Sequence, residues 1–302
     1  MDAQIVDILQ YIPEWDIAEV VITPLMGGIT NQNYRVDVGG ETFVLRIGSK
    51  GTRLLGIDRG REYACTAIAA RLGVGAEVIR FLAQQEALVT RFIAGKNLAP
   101  EDAAQAEMLP RIVEAIRAYH NGPAFPGAFS PFETVRAYHK LALEAGVTFP
   151  DTLSRVFALM ERIEQAIGGA YTPKPCHNDL LASNFIDDGR AIRILDWEYA
   201  AMGDLFFDLG NFAVNQSLSE EQCRQFLRAY FGDVRPADEA HLHLMRLGSD
   251  LRESFWGFLQ LGFSELDFDY RDYAHHHLNR FLHNVAISPF EQWLHDAGSR
   301  QT

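Results

Sequence analysis

Cysteine is scarce in this sequence. Its 302 residues include three, Cys65, Cys176 and Cys223, and they are far apart and form no CxxC pair. Disulfide-stabilised domains and structural zinc sites use more, and more closely spaced, cysteines. We therefore expect reduced thiols and neither a disulfide framework nor a zinc centre.

Basic residues are few relative to acidic ones. The 27 lysines and arginines stand against 40 aspartates and glutamates, which gives a formal net charge of -13. Proteins that bind nucleic acid neutralise its phosphates with clustered basic residues, so we expect no nucleic-acid partner. An acidic surface suits a cationic substrate, although solubility alone explains it equally well.

Long apolar segments are missing as well. No run of about eighteen apolar residues occurs, and the first thirty residues show no basic stretch followed by an apolar one. We therefore expect a cytoplasmic protein without a membrane partner. Apolar residues still make up 48% of the chain, enough for a core, and the length favours two structural units.

What is present is a change of pattern near residue 92. Before it, β-type segments predict antiparallel strands at 20–22, 33–38, 42–47, 77–82 and 87–92, and helical spacing predicts one helix at 59–72. After it, amphipathic periodicity predicts helices at 101–120, 132–145, 151–168, 219–231, 239–262 and 271–285. The sequence thus predicts an α+β fold with a sheet-containing lobe (1–92), a hinge (93–98) and a helical lobe (99–302).

One island in the helical half carries a dense set of polar residues. Residues 177–184 read HNDLLASN, a small hairpin is predicted over 184–195, and Asp196 follows it. Phosphoryl transfer needs a carboxylate to deprotonate the attacking hydroxyl, and Mg²⁺ prefers oxygen ligands such as carboxylates and amides. We assign the first role to Asp179 and magnesium binding to Asn184 and Asp196. Each residue alone would more often cap a turn; the weight lies in the ordered set.

The order of these parts resembles that of protein kinases: a strand-rich lobe, a hinge, and a helical lobe with HxDxxxxN and a later aspartate. The lack of Asp-Phe-Gly and Ala-Pro-Glu resembles their small-molecule relatives, the choline/ethanolamine kinase and aminoglycoside phosphotransferase superfamily. The resemblance covers about residues 20–285. It implies a two-lobed protein-kinase-like fold and an ATP- and Mg²⁺-dependent kinase.

In the first lobe the resemblance implies a nucleotide site. Residues 25–34 are similar to the GG-x-T-N segment of choline kinases, where a glycine turn lets backbone amides approach phosphates. Arg46 stands where protein kinases place a lysine, and Glu62 would be its ion-pair partner. The hinge would contact adenine. The residues assigned to the nucleotide are Gly28, Thr30, Asn31, Arg46, Glu62, Phe92 and Ile93.

Two later segments are similar to choline and ethanolamine kinases in particular, namely DWEYA at 196–200 and the stretch from 255 to 274 that ends in Asp-Tyr-Ala. In that family, Trp256 and Tyr273 would line the pocket for a cation, which aromatic faces attract. A carboxylate at Glu253 would favour a primary ammonium, which donates hydrogen bonds. The residues assigned to the substrate are Glu198, Tyr199, Glu253, Trp256 and Tyr273.

The sequence leaves the phosphate acceptor open. Choline or ethanolamine is the leading interpretation, and thiamine, an aminoglycoside or a sugar-like metabolite are alternatives. A different class of function is a catalytically silent nucleotide-binding module, because a fold alone does not establish activity. The intact set of Asp179, Asn184 and Asp196 argues against a silent module. The sequence makes no prediction about the oligomeric state.

Overall fold

The structure is a computed structural model that describes residues 3–25, 31–48, 52–168, 171–264 and 266–299. It begins with helix α1 (Ala3–Leu9). Within the described ranges an antiparallel sheet follows, with the spatial order β1-β2-β3-β5-β4. Its strands are β1 (Val21–Leu25), β2 (Asn31–Val38), β3 (Glu41–Gly48), β4 (Val78–Leu82) and β5 (Ala87–Arg91), and helix α2 (Arg59–Arg71) links β3 to β4.

The β2–β3 hairpin fixes the direction of Arg46. Gly39 and Gly40 form its turn with φ angles of 60° and 78°, values that glycine adopts without steric cost. Alternate residues of β3, among them Leu45 and Ile47, are buried in the core of the sheet. Because side chains alternate along a strand, Arg46 lies on the opposite face.

The apolar residues form two clusters. Helix α1 packs with the sheet through residues such as Ile8 and Leu45. The inner face of α2, by contrast, contributes Cys65 and Ile68 to the larger cluster that fills the helical half of the chain. The helix that carries Glu62 therefore packs against the helical half of the chain. The predicted division into lobes at residues 92 and 98 stays a prediction.

The rest of the chain is mainly helical. The helices are α3 (Pro100–Ala103), α4 (Met108–His120), α5 (Pro131–Glu144), α6 (Leu153–Ile167), α7 (Leu205–Asn215), α8 (Glu220–Phe231), α9 (Pro236–Phe263), α10 (Tyr270–Ile287) and α11 (Phe290–Gly298). Between them lie the short strands β6 (Lys96–Asn97), β7 (Lys174–Cys176), β8 (Phe185–Asp187), β9 (Ile192–Ile194) and β10 (Ala201–Gly203). The described ranges contain no helix long and apolar enough to cross a bilayer.

The predicted hairpin at 184–195 is confirmed as the antiparallel pair β8–β9, and β6 from the predicted hinge adds a third strand to it. The predicted helix at 101–120 is wrong in its middle, where a turn at 104–107 separates α3 from α4. Helix α7 was not predicted. It is buried on all sides from Phe206 to Val214, although its polar residues Asp208, Asn211 and Asn215 follow one another at helical spacing.

Helices α7 and α9 cross closely at Gly210. A Cβ atom at this position would lie 2.7 Å from the backbone carbon of Met245 and 2.8 Å from the backbone nitrogen of Arg246. Gly248, in α9, has room for a Cβ, with its nearest neighbours at 3.8 Å. Only glycine at position 210 permits this approach of the two backbones.

We expect Gly210→Ala to lower the free energy of unfolding by about 1–3 kcal/mol, because the two helix backbones must separate. The matched variant Gly248→Ala should leave stability unchanged or raise it by up to about 1 kcal/mol, since alanine is the better helix former. Urea unfolding followed by circular dichroism measures both. Equal stability of the two variants would contradict the tight crossing.

Candidate active site

The loop that carries Asp179 is held by the carboxylate of Asp208 in helix α7. Asp208 Oδ2 accepts a hydrogen bond from the backbone N–H of His177 at 2.8 Å, and Oδ1 accepts one from the N–H of Asn178 at 2.7 Å. The Tyr119 hydroxyl at 2.7 Å and His120 Nε2 at 3.0 Å donate to Oδ2 as well. Burial would raise the pKa of Asp208, but the hydrogen bond and charge of His120 outweigh burial and lower it.

Hydrogen bonds of further side chains hold the loop in place. Leu180 donates its backbone N–H to Asn211 in α7 at 2.5 Å, and Asn178 adopts a left-handed conformation with φ of 67°. His177 is fully buried; its Nε2 donates to the Leu195 carbonyl at 2.8 Å and its Nδ1 accepts from the Asp179 N–H at 3.2 Å. Burial lowers the pKa of His177, so the ring is neutral. Its two hydrogen bonds connect the loop to Leu195, just after β9.

Asp179 lies within this loop, with 14% of its side chain exposed. Burial raises the pKa of Asp179 to about 8; nearby Arg252 opposes the rise, and the carboxylates of Glu253 and Asp196 add to it. A carboxylate in such surroundings is a stronger base than a solvated aspartate. This is the chemistry that deprotonation of a hydroxyl requires.

Asn184, just before β8, and Asp196, just after β9, lie at the open end of the β8–β9 hairpin and face the same cleft. The amide nitrogen of Asn184 donates to the Asp179 carbonyl at 2.9 Å, which directs its Oδ1 away from that bond. Asp196 has a left-handed conformation with φ of 68°. One amide oxygen and one carboxylate are donors that Mg²⁺ prefers when phosphates and water supply the remaining ligands, so the two residues fit this ion.

The ion pair predicted between Arg46 and Glu62 is present, with 2.9 Å between Nη1 and Oε1. The same Nη1 lies 2.5 Å from Asp196 Oδ1, so Arg46 links α2 to the end of β9. Burial would lower the pKa of Arg46, but the carboxylates of Asp196, Glu62 and Glu198 have the larger effect and raise it. The guanidinium therefore stays charged.

Arg59 is a site residue that the sequence did not reveal. Its guanidinium lies 2.6 Å from Glu62, 3.2 Å from Glu198 and 2.6 Å from Asn31 Oδ1. Asn31 also donates to Glu198 at 2.8 Å. Glu198 thus contacts α2 and β2, and its assignment to the substrate stays a prediction. One feature of the sequence could have indicated this role: Arg59 stands three residues before Glu62 on the predicted helix, a spacing at which two side chains can pair.

A cleft of about 460 Å³ is lined in part by this network of charged residues. Phe92 and Ile93, which were assigned to the nucleotide, line it together with Arg46, Glu62, Asn184 and Asp196, and apolar walls come from Val44, Ala76, Leu88, Ile186 and Ile194. Gly28 and Thr30, assigned to the same site, lie outside the described residues. The cleft offers an apolar slot next to charged groups, as a nucleotide requires.

Three of the residues assigned to the substrate, Tyr199, Glu253 and Tyr273, lie around Arg252, the third arginine of the site. The rings of Trp256 and Tyr273 are 5.6 Å apart and nearly perpendicular, and the Tyr273 hydroxyl donates to Glu253 Oε2 at 2.7 Å. Arg252 pairs with Glu253, lies 3.3 Å from Asp179 Oδ1, and stacks over the Tyr199 ring at 4.3 Å. The structure therefore brings Tyr199, Glu253 and Tyr273 together next to Asp179. Arg252 was not predicted.

Comparison with known proteins identifies the family of this chain. Residues 21–242 match the phosphotransferase enzyme family. The chain is 30% identical over 212 residues to the protein LicA of Haemophilus influenzae, which is 68% of this chain and 61% of LicA. It thus spans less than two thirds of that relative. Ethanolamine kinase 1 of mouse is 25% identical over 321 residues, covering 89% of this chain and 85% of the kinase.

A solved structure of a choline/ethanolamine kinase family protein from Mesorhizobium loti superimposes with a TM-score of 0.81 over 92% of both chains, at 30% identity. The fold is therefore the protein-kinase-like α+β fold of a phosphotransferase family, and the predicted fold is confirmed. The chain belongs to the phosphotransferase enzyme family, and the predicted resemblance is confirmed at that level.

We expect Asp208→Asn to lower the free energy of unfolding by about 2–4 kcal/mol at neutral pH, because an NH2 group that cannot accept hydrogen bonds replaces one of two accepting oxygens and the remaining bonds lose their charge. The lowered pKa of Asp208 means that its contribution is complete above the unfolded-state value of 3.8 and is lost as the pH falls through the folded value. The difference from wild type should therefore be constant from about pH 6 to about pH 8.

Urea unfolding of both proteins across this pH range is the measurement. Asp267, which is exposed in the turn before α10, supplies the control Asp267→Asn, which should change stability by less than about 0.5 kcal/mol. Equal effects of the two substitutions would contradict the anchoring role of Asp208.

Proposed function

We propose that this protein is an ATP- and Mg²⁺-dependent kinase that phosphorylates the hydroxyl of a small amino alcohol, with choline or ethanolamine as the acceptor. One observation carries the proposal. The backbone carbonyl of Asp179 accepts a hydrogen bond from Asn184, which lines the cleft together with Asp196, and its Oδ1 contacts Arg252, which pairs with Glu253 beside Tyr273. A base between a nucleotide site and an acceptor site is the arrangement that phosphoryl transfer needs.

In the proposed reaction Asp179 accepts the proton of the acceptor hydroxyl. The hydroxyl oxygen forms a bond to the γ-phosphorus of ATP, the bond from that phosphorus to the β–γ bridging oxygen breaks, and ADP leaves with the electron pair. Asn184 and Asp196 would hold Mg²⁺, which supplies positive charge to the phosphates. Arg46, fixed by Glu62, would bind the phosphates through its guanidinium.

The nucleotide would occupy the cleft beside the predicted hinge. Phe92 and Ile93 would pack on adenine, because both line the apolar end of the cleft. Gly28, Thr30 and Asn31 would cover the phosphates, as the GG-x-T-N pattern suggests. Support for Asn31 comes from its hydrogen bonds with Glu198 and Arg59, which fix the start of β2 at the charged end of the site.

The acceptor would bind on the α9–α10 side of Asp179. Trp256 and Tyr273 offer aromatic rings, which attract a quaternary ammonium, and Glu253 offers a carboxylate close to them. The negative net charge of the chain would favour the approach of such a cation. The names of the relatives support this acceptor class, since one is an ethanolamine kinase and another a choline/ethanolamine kinase family protein.

Acceptor-dependent release of ADP from MgATP tests the proposal, with choline, ethanolamine, thiamine and an aminoglycoside as candidates. We expect turnover of choline or ethanolamine, and a loss of about 10²–10⁴ in kcat for Asp179→Asn, because the general base is removed. ATP affinity should be retained.

The control is Asp188→Asn, at the far end of the β8–β9 hairpin, where Asp188 pairs with Arg193. Its kcat should remain within about threefold of wild type. ATP binding without turnover of any acceptor would instead favour the silent nucleotide-binding module.

We expect Trp256→Leu to raise KM for the acceptor by about 3- to 30-fold, because one aromatic face for the cation is lost, while KM for ATP stays unchanged. The matched variant is Trp293→Leu, because Trp293 stacks on His243 at 4.5 Å in the α9–α11 contact. It should leave both KM values unchanged. Steady-state kinetics with choline and ethanolamine measures the difference; a rise in KM for ATP alone would contradict the assignment.

A further inference from the structure

Arg252 occupies an unusual place for a cation. It projects from the middle of α9, and only 3% of its side chain is exposed. Its Nη1 contacts both Asp179 and Glu253, while the planar group lies over the Tyr199 ring. The guanidinium is thus fixed by a ring on one face and by two carboxylates at one edge.

The hydrogen bonding of this guanidinium is incomplete. Nε and Nη2 are buried and have no hydrogen-bond partner within the described part of the chain. Buried donors without partners cost stability, and each calls for an explanation. An arginine retained only to support the packing of α9 would be expected to satisfy its donors.

The catalytic loop itself carries no basic residue, since residues 177–184 read HNDLLASN. Asp179 nevertheless lies among carboxylates, with Glu253, Asp196 and Glu198 close enough to act on it. The nearest fixed positive charge on the acceptor side comes from α9, which lies 73 residues further along the chain. The contact joins one oxygen of Asp179, Oδ1, and leaves Oδ2 for another partner.

We propose that Arg252 is a positioning residue for the reaction: from α9 it holds Oδ1 of Asp179, so that Oδ2 is turned to the acceptor hydroxyl. This inference rests on the proposed function of Asp179 as the base. The stacking on Tyr199 fixes the plane of the guanidinium and therefore the direction of its N–H groups. The alternative is that Arg252 serves only to neutralise the buried carboxylate of Glu253.

Four variants separate the two roles: Arg252→Met, Arg252→Lys, Glu253→Gln and the double variant Arg252→Met/Glu253→Gln. We expect Arg252→Met to lower kcat by about 100-fold, because a misplaced reacting group costs about this much, with both KM values within about threefold of wild type. Arg252→Lys should recover about tenfold of the loss, since lysine restores the charge without the planar fork. In the double variant kcat should stay as low as in Arg252→Met.

Two outcomes would overturn the inference. In the first, the double variant returns to the kcat of Glu253→Gln, which would mean that Arg252 only neutralises Glu253. In the second, the loss in Arg252→Met matches its loss of folded protein in thermal unfolding. If Arg252→Met does not fold, Arg252→Lys and the double variant provide the test. Lysine keeps a positive charge beside Glu253, and the double variant removes the negative charge of Glu253 as well, so neither leaves a buried carboxylate unpaired.

The test also distinguishes failure of the inference from failure of the proposed function. If wild-type protein phosphorylates neither amino alcohol, the acceptor assignment fails. Hydrolysis of ATP by water, with Asp179→Asn as the reference for lost base function, then provides the readout. Arg252→Met must lose this hydrolysis to the same degree as Asp179→Asn, and retention of the wild-type rate overturns the inference.

Discussion

The buried carboxylate of Asp208 is the interaction on which the rest of the site depends. It accepts two consecutive backbone amides of the catalytic loop and two side-chain donors from α4, and it lies on a helix that is itself buried on all sides. A charged acceptor in a low-dielectric interior forms stronger hydrogen bonds than a neutral one and is costly if left unpaired. The loop is therefore held in one conformation, which fixes the position of Asp179. The crossing of α7 and α9 at Gly210 sets where Asp208 lies.

Charge is distributed in a regular way around Asp179. On the nucleotide side Arg46 and Arg59 are each shared between two carboxylates. On the acceptor side Arg252 is shared between Asp179 and Glu253. Each arginine thus holds carboxylates in place that would otherwise repel one another, and it does so at short range and largely out of contact with water. The same arrangement leaves an excess of negative charge, which would suit the proposed Mg²⁺ and the proposed cationic acceptor.

Local patterns predicted much of this site, and long-range contacts did not. Asp179, Asn184 and Asp196 were predicted as one set from their spacing along one hairpin and its flanks, and the structure places the three close together, while their roles stay a prediction. The pairing of Arg46 with Glu62 followed from one strand and one helix. Arg252 was missed because two of its three partners, Asp179 and Tyr199, lie in distant segments, and helical periodicity does not tell which turn of a 28-residue helix meets a loop. Helix α7 was missed because it is short and mostly apolar, although Asp208 and Asn211 are spaced as on one face of a helix.

The central claim is that Asp179 mediates transfer of the γ-phosphoryl group of ATP to a small amino alcohol. Phosphorus NMR of the protein incubated with MgATP and choline or ethanolamine tests it most directly, because the product itself is observed. The claim predicts a new phosphomonoester signal that grows in step with ADP and that grows at least about 100-fold more slowly with Asp179→Asn. Loss of ATP to inorganic phosphate alone, or a phosphomonoester that forms at the wild-type rate with Asp179→Asn, would contradict it.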